Sequence, residues 1–178
     1  MNRLNRVEKW ARVLEWVTAI SLFVIPVLVI VGLVQTPITP EALDSALENH
    51  AVSPSTTPLQ LYLAIGIMLI PLIILMFTLN FMRKLFGNYR KSQILTEHCA
   101  FLIQRIGQGF LLVAVVRLLM SPMLSGLVSL ANPPGERSIS FNLNGEMYFF
   151  AVSGGLILMI GWAMREASEV ASENKAFV

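Results

Sequence analysis

Four long apolar segments divide the chain of 178 residues and limit its possible folds more than any other feature. They cover residues 17–34, 59–82, 106–130 and 148–164. A helix needs about 20 mainly apolar residues to cross the hydrocarbon core of a bilayer, with roughly 17–25 the usual range. Backbone groups in lipid must be hydrogen-bonded within the protein, and none of the segments shows the two-residue alternation of a barrel strand. We therefore predict an all-α membrane protein, a four-transmembrane-helix bundle that forms one domain over residues 1–178.

Composition supports this class and argues against several functions. Hydrophobic residues make up 55% of the chain and charged residues 13%, whereas soluble domains carry roughly 25% charged residues. The net charge of +2 is too small to indicate direct nucleic-acid binding. His98 and Cys99 are neighbours, so on a helix they diverge by about 100° and cannot share one metal ion. No catalytic triad and no phosphate-binding loop is present, and we predict a protein that is not an enzyme and has no cofactor.

Basic residues near the segment ends predict the orientation, because cytoplasmic loops are enriched in Lys and Arg. Eleven of the 13 Lys and Arg residues lie at the N-terminus, in residues 83–105 or in the tail, 165–178. The two opposite loops, 35–58 and 131–147, contain a single basic residue, Arg137. Both termini are therefore predicted to be cytoplasmic. The first apolar run is longer than the 7–15 residues of a signal peptide and lacks an A-x-A cleavage site, which favours a retained span.

Residues 83–105 are predicted to form the single cytoplasmic loop, here called the basic elbow. Gly87-Asn88 and Ser92-Gln93 are turn-forming pairs. Thr96 is a typical N-cap, and a glutamate follows it where the helix dipole favours a negative charge. The second apolar helix is predicted to continue past the membrane edge before the chain turns back.

The basic side chains of the elbow lie at the predicted level of anionic lipid headgroups, where each contributes about 1 kcal/mol of attraction. The elbow is either a membrane-hugging connection or a docking surface for a cytoplasmic protein partner. The residues of this candidate surface are Arg83, Lys84, Phe86, Tyr89, Arg90, Lys91 and Arg105.

The elbow sequence KLFGNYRKSQILTEHCAFLIQRIG also carries a resemblance. It is similar to the core motif of a bacterial inner-membrane family known as domain of unknown function twenty-nine seventy-five, and the tail SENKAFV is similar to the family's C-terminus. Ser92 stands where the family often has Gly. The resemblance implies a four-helix protein of the bacterial inner membrane and a membrane-held partner of an Xre-type DNA-binding regulator. Matching positions are Leu85, Phe86, Tyr89, Arg90, Lys91, Leu95, Thr96, Ala100, Ile106 and Gly107, with Ile103 displaced by one residue.

Arg117 lies within the third apolar segment, where a charge costs at least about 2.5–3.5 kcal/mol on insertion scales. None of the four segments contains an Asp or Glu to pair with it. Prolines in the helices free backbone carbonyls that an arginine can bind. Arg117 is therefore predicted to lean toward the inner half of the membrane and to mark an interhelical contact, a site for an anionic lipid or ligand, or a contact with an acidic residue of another protein. The prolines of this candidate site are Pro26, Pro71 and Pro122, which free the carbonyls of Leu22, Ile67 and Leu118.

The extracytoplasmic loops and the fourth segment give three further predictions. Thr39-Pro40 is a typical helix start, so a short interfacial helix is expected there. Asn144-Gly145 in an alternating stretch is a hairpin turn signal, which predicts a small β-hairpin. Small residues at positions 153–155 and 161 allow close helix approach in lipid and favour a homo-oligomer through that face.

Two functional hypotheses follow. The first is a regulatory or adaptor protein that acts through its basic elbow and cytoplasmic tail. The second is a protein that handles a small molecule, lipid or ion at Arg117. Transporters usually carry internal repeats or several polar groups within the membrane, and this sequence shows neither, so the adaptor hypothesis leads.

Overall fold

The computed structural model describes residues 3–42, 56–130, 133, 141 and 144–176. Four helices fill this part of the chain, which contains no strand: α1 (Arg3–Gln35), α2 (Pro58–Arg90), α3 (Glu97–Ser129) and α4 (Gly145–Ala176). All four are long and apolar enough to cross a membrane, which confirms the prediction of four such helices. Helices of 32 or 33 residues extend about 50 Å, well beyond a hydrocarbon core of about 30 Å. Each helix therefore continues outside the apolar span that the sequence predicts.

The helices pack in chain order, α1 on α2, α2 on α3 and α3 on α4. Buried apolar side chains form two clusters between α2 and α3, one near each end of the helices. Helix α1 lies at the edge, and only 6% of its most apolar stretch is buried, so most of its surface is available to lipid. The cluster at the α2 N-terminus contains Leu61, Ala64, Leu124 and Val128, and the cluster at the α2 C-terminus contains Leu85, Cys99, Leu102, Ile103 and Ile106.

The basic elbow consists mainly of two helix ends rather than a loop. Helix α2 runs to Arg90, so the predicted turn at Gly87-Asn88 is wrong, and the chain reverses close to the predicted Ser92-Gln93 pair. Ser92 has a φ of 58°. The N–H of Ser92 bonds the carbonyl of Tyr89 and that of Gln93 bonds the carbonyl of Asn88, both at 3.1 Å, which is the hydrogen-bond pattern of a Schellman cap. Serine therefore takes the left-handed position where Gly is usual.

Helix α3 begins as the sequence predicts. The side chain of Thr96 accepts a hydrogen bond from the backbone N–H of Cys99 at 3.2 Å, and Glu97 occupies the first turn. Glu97 also lies 3.9 Å from Arg165 of α4. The predicted N-cap is thus confirmed, and only residues 91–96 connect α2 to α3.

Helices α3 and α4 approach closely because glycines face each other across their interface. A Cβ atom at Gly107 would lie 2.6 Å from the backbone nitrogen of Leu158, and one at Gly154 would lie 2.8 Å from that of Leu111. Gly161 packs on Gln104 in the same way. Gly154 and Gly161 of the small-residue face therefore make a contact within the chain, whereas nothing lies within 4 Å of a Cβ atom built on Gly155. The homo-oligomer stays a prediction.

The extracytoplasmic predictions are tested only in part. Residues 40–42 are helical, and Thr39 accepts a hydrogen bond from Ala42 at 3.3 Å, but the rest of the predicted short helix lies outside the described residues. The hairpin turn predicted at Asn144-Gly145 is wrong, because α4 begins there and the Asn144 side chain accepts a hydrogen bond from the N–H of Met147 at 3.1 Å. Most of the predicted hairpin also lies outside the described residues.

Candidate functional site

A polar stripe begins near the end of the apolar span of α2 and runs to the C-terminal end of that helix. Lys84 follows Asn80 by four residues, Gly87 and Asn88 lie three and four residues after Lys84, and Lys91 lies three residues after Asn88. This spacing places them on one face of a helix. The stripe covers about 16 Å of helix axis. It gives α2 a hydrophilic face at the end that the positive charges assign to the cytoplasm.

The opposite wall comes from the first part of α1. Ala11 and Thr18 are buried, and Glu8 and Glu15 lie on the same helical face. Glu8 accepts a hydrogen bond from the hydroxyl of Ser92. Two glutamates of α1 thus face α2 and the turn that follows it.

Glu15 is largely buried in this contact, with 20% of the side chain exposed. Its Oε2 atom lies 3.2 Å from Nη1 of Arg90. That oxygen is buried and accepts no hydrogen bond, so the pair is held by charge and packing. Glu15 lies beside the backbone of Gly87 in α2: a Cβ atom built on Gly87 would lie 3.5 Å from Glu15 Oε1, an ordinary contact distance. Glu15 therefore fixes the position of the Arg90 guanidinium.

Between these walls lies a cleft of about 430 Å³, here called the polar cleft. Its lining carries four permanent positive charges and one carboxylate, a net charge of +3 with His98 neutral. Such an arrangement attracts anions and offers guanidinium, ammonium and amide donors to them. The lining residues are Glu15, Asn80, Arg83, Lys84, Gly87, Asn88, Arg90, Lys91 and His98.

Only four of the seven residues of the predicted candidate surface line the polar cleft. Arg83, Lys84, Arg90 and Lys91 line the polar cleft, but the other three do not. The other three have different surroundings: Phe86 is half-buried, Tyr89 packs against the apolar cluster around Leu85, and Arg105 lies 4.9 Å from the ring of Phe101 and bonds Gln108.

Five residues of the cleft were missed by the sequence interpretation: Glu15, Asn80, Gly87, Asn88 and His98. The periodic polar stripe on α2 is a signal that could have found Asn80 and Asn88.

Arg117 has an acidic partner that the sequence interpretation missed. Its guanidinium forms an ion pair with Glu146 in the first turn of α4 and lies 5.7 Å from the ring of Phe150. Helix α4 begins before the predicted span, at Gly145, and this places a carboxylate within reach. Arg117 therefore points toward the N-terminal end of α4, whereas the predicted orientation required it to lean toward the opposite end of that helix.

The three prolines do not form a site with Arg117 in the described part of the chain. Gly145, Glu146, Phe149 and Phe150 line the open cleft beside Arg117, and none of the prolines does. Hydrogen bonds from Arg117 to the carbonyls of Leu22 or Ile67, one of the predicted contacts, are also absent among the described residues. The prolines lie within their helices: Pro26 in α1, Pro71 in α2 and Pro122 in α3.

No cluster of three or more metal-ligating side chains occurs among the described residues. Cys99 is buried and its thiol donates to the carbonyl of Gln93 at 3.1 Å. The thiol thus has a structural contact at the helix reversal.

Comparison with known proteins finds no matching family model, no matching curated protein and no matching solved structure. The resemblance of the elbow therefore stays a prediction. Much of its motif has a packing explanation in this structure, because Leu85, Ala100 and Ile106 are buried and Gly107 contacts α4. Arg90 and Lys91 are the exposed charges of the motif.

Proposed function

We propose that this protein is a non-enzymatic regulatory or adaptor protein of the bacterial inner membrane, with both termini in the cytoplasm. It holds a cytoplasmic protein partner through the basic elbow and the tail. The observation that carries the proposal is the position of the basic side chains on two packed helix ends. The resemblance of the elbow motif suggests an Xre-type regulator as the partner.

The contacts that hold this surface in place support a binding role. The end of α2 is held against α1 by the contacts of Glu8 and Glu15, and its turn is closed by the cap at Ser92. A surface that is ordered before binding loses less conformational entropy when a partner arrives. Exposed positive charges on such a surface attract an acidic partner and fix its orientation. Arg90 and Lys91 stand at the outer end of the polar cleft, where a soluble protein can reach them.

Changing Arg90 and Lys91 together to Gln is expected to weaken association with the partner by about tenfold, which corresponds to about 1.4 kcal/mol. The partner would first be identified by co-purification in mild detergent, and its affinity for parent and variant would then be measured with both proteins purified. Since Arg90 also pairs with Glu15, a loss of about 1 kcal/mol in unfolding free energy is expected as well.

Lys9 and Arg12 provide the matched control, because both are exposed on α1 and neither lines the polar cleft. Changing both to Gln removes the same charge from the same end of the molecule and should leave the affinity unchanged. Equal affinity of the elbow variant and the parent would rule out the elbow as the docking surface.

The alternative function, handling of a small molecule, lipid or ion at Arg117, has weaker support. Glu146 already pairs with the guanidinium, and a neutralised arginine attracts an anion less strongly than an unpaired one. Glu146 and the neighbouring Phe149 line an open cleft of about 500 Å³ beside the ion pair. This cleft is the one observation that favours the alternative.

A further inference from the structure

We propose that the membrane-side half of the polar cleft is a binding site for one phosphate of an anionic phospholipid in the cytoplasmic leaflet. Asn80, Arg83 and Lys84 contact the phosphate, and Glu15 positions Arg90 beside it. This inference concerns a different ligand from the protein partner and does not depend on the adaptor function.

The depth of the cleft along the helices supports a lipid phosphate site. The apolar span of α2 ends at residue 82, so Arg83 and Lys84 are the first charges after it. Across the cleft, Glu15 comes two residues before the apolar span of α1 begins. Both walls therefore leave the hydrocarbon core at the base of the cleft. Phosphate groups of lipids lie at this boundary, and basic side chains there are attracted to anionic lipids.

The net charge of the cleft lining favours an anion. One carboxylate stands among the four permanent cations of the cleft, and its Oε2 atom is buried against Arg90. Glu15 neutralises the charge of Arg90 only, so the positive charges of Arg83, Lys84 and Lys91 are not balanced within the cleft. Like charges gathered around one concave space repel each other, and a bound anion relieves that repulsion. The cleft is therefore more favourable with an anion inside it.

The hydrogen-bond donors of the cleft lining match a phosphate group. An Arg guanidinium offers paired N–H donors that match two phosphate oxygens, and Lys supplies a mobile positive charge. Asn80 and Asn88 add neutral amide donors at two levels of the cleft. A phosphate accepts all of these bonds and donates few, which fits a lining of mainly donor groups.

Exposed apolar side chains on the membrane side of the cleft favour a lipid over a soluble anion. Ile73 lies seven residues before Asn80 and therefore on the same face of α2. It is 53% exposed, and Phe77, one turn below Asn80, is 63% exposed. These apolar side chains continue from the base of the cleft into the span, where the acyl chains of a lipid would lie. A free phosphate ion would make no use of this surface.

The experiment measures lipid binding to the full chain purified in a neutral detergent. Native mass spectrometry with added phosphatidylglycerol is expected to show one bound lipid, and phosphatidylcholine is expected to bind at least about tenfold more weakly because its headgroup has no net charge. Changing Asn80 to Leu and Lys84 to Gln together should weaken phosphatidylglycerol binding by about tenfold. The double variant Lys9→Gln, Arg12→Gln should bind it like the parent. Melting temperatures of both variants check that they remain folded.

Three outcomes would overturn the site. Equal weakening in the control pair would mean general attraction by positive charge, without a specific site. Binding of inorganic phosphate as tight as that of phosphatidylglycerol would mean a soluble anion rather than a lipid. Absence of bound phosphatidylglycerol in the parent would mean that the cleft does not bind this lipid and that an acidic protein segment is its ligand instead. If the Asn80, Lys84 variant unfolds, Lys84→Gln alone carries the test, since an exposed Lys is easily replaced. None of these outcomes depends on the partner affinity measured for Arg90 and Lys91, so the two proposals fail separately.

Discussion

Replacing Gly154 by alanine is expected to lower the free energy of unfolding by about 1–3 kcal/mol, the usual cost of overpacking a close contact. The added methyl group would lie 2.8 Å from the backbone nitrogen of Leu111 and 3.0 Å from the carbonyl oxygen of Gly107. Backbone atoms cannot rotate away as a side chain can, so α3 and α4 would have to separate. Thermal or denaturant unfolding of the purified protein in detergent measures the loss.

The neighbouring Gly155 is the matched control, because nothing lies within 4 Å of a Cβ atom built on it. Gly155→Ala should leave stability unchanged or raise it by up to about 1 kcal/mol, since alanine is the better helix former. Equal losses at positions 154 and 155 would show that helix α4 does not meet α3 through this face.

Glu146→Gln is expected to destabilise the protein more than Arg117→Leu, although both remove the same ion pair. The Arg117 side chain is 33% exposed and that of Glu146 is 65% exposed. Removing Glu146 leaves a positive charge within the span without its partner, at a cost of roughly 1–3 kcal/mol. Removing Arg117 leaves a well-exposed glutamate at a helix N-terminus, where the dipole favours it. Arg117→Leu should therefore be close to neutral.

A double-mutant cycle completes this test. Glu146→Gln should cost little once Arg117 is already Leu, and Arg117→Lys should retain only part of the coupling, because Lys lacks the planar guanidinium. If Arg117→Leu folds normally but loses a bound species seen in the parent by native mass spectrometry, Arg117 is a ligand site and the structural role is wrong.

The four spans were predictable because lipid imposes one strong condition, about 20 apolar residues in a row, which a sequence shows directly. The helix ends were not, because polar residues can continue a helix once it has left the membrane. Gly145 illustrates this difficulty. Asn144-Gly145 is a hairpin signal by local turn chemistry, yet the same asparagine side chain caps the start of α4. The missed helix start concealed Glu146 as the partner of Arg117.

Sequence patterns also could not predict which helices and which of their faces pack against each other. Gln60 and Asn80 are both polar interruptions in the same apolar span, but Gln60 bonds the carbonyl of Leu127 on α3 and Asn80 lines the polar cleft beside α1. Likewise Glu15 and Arg90 are far apart in sequence and meet only because α1 packs on α2. Hydropathy predicts which residues enter the membrane, and it does not predict which faces of the helices meet.

Orientation in the membrane is the premise of both proposals, and topology mapping tests it most directly. Reporter fusions in a bacterial host would be placed at Val178, within residues 90–97 and at Ser53. We expect the first two to report a cytoplasmic position and the third the opposite side, since eleven basic residues flank the spans on one side and one on the other. A cytoplasmic reporter at Ser53 would contradict this orientation and would remove the polar cleft from the reach of a cytoplasmic partner.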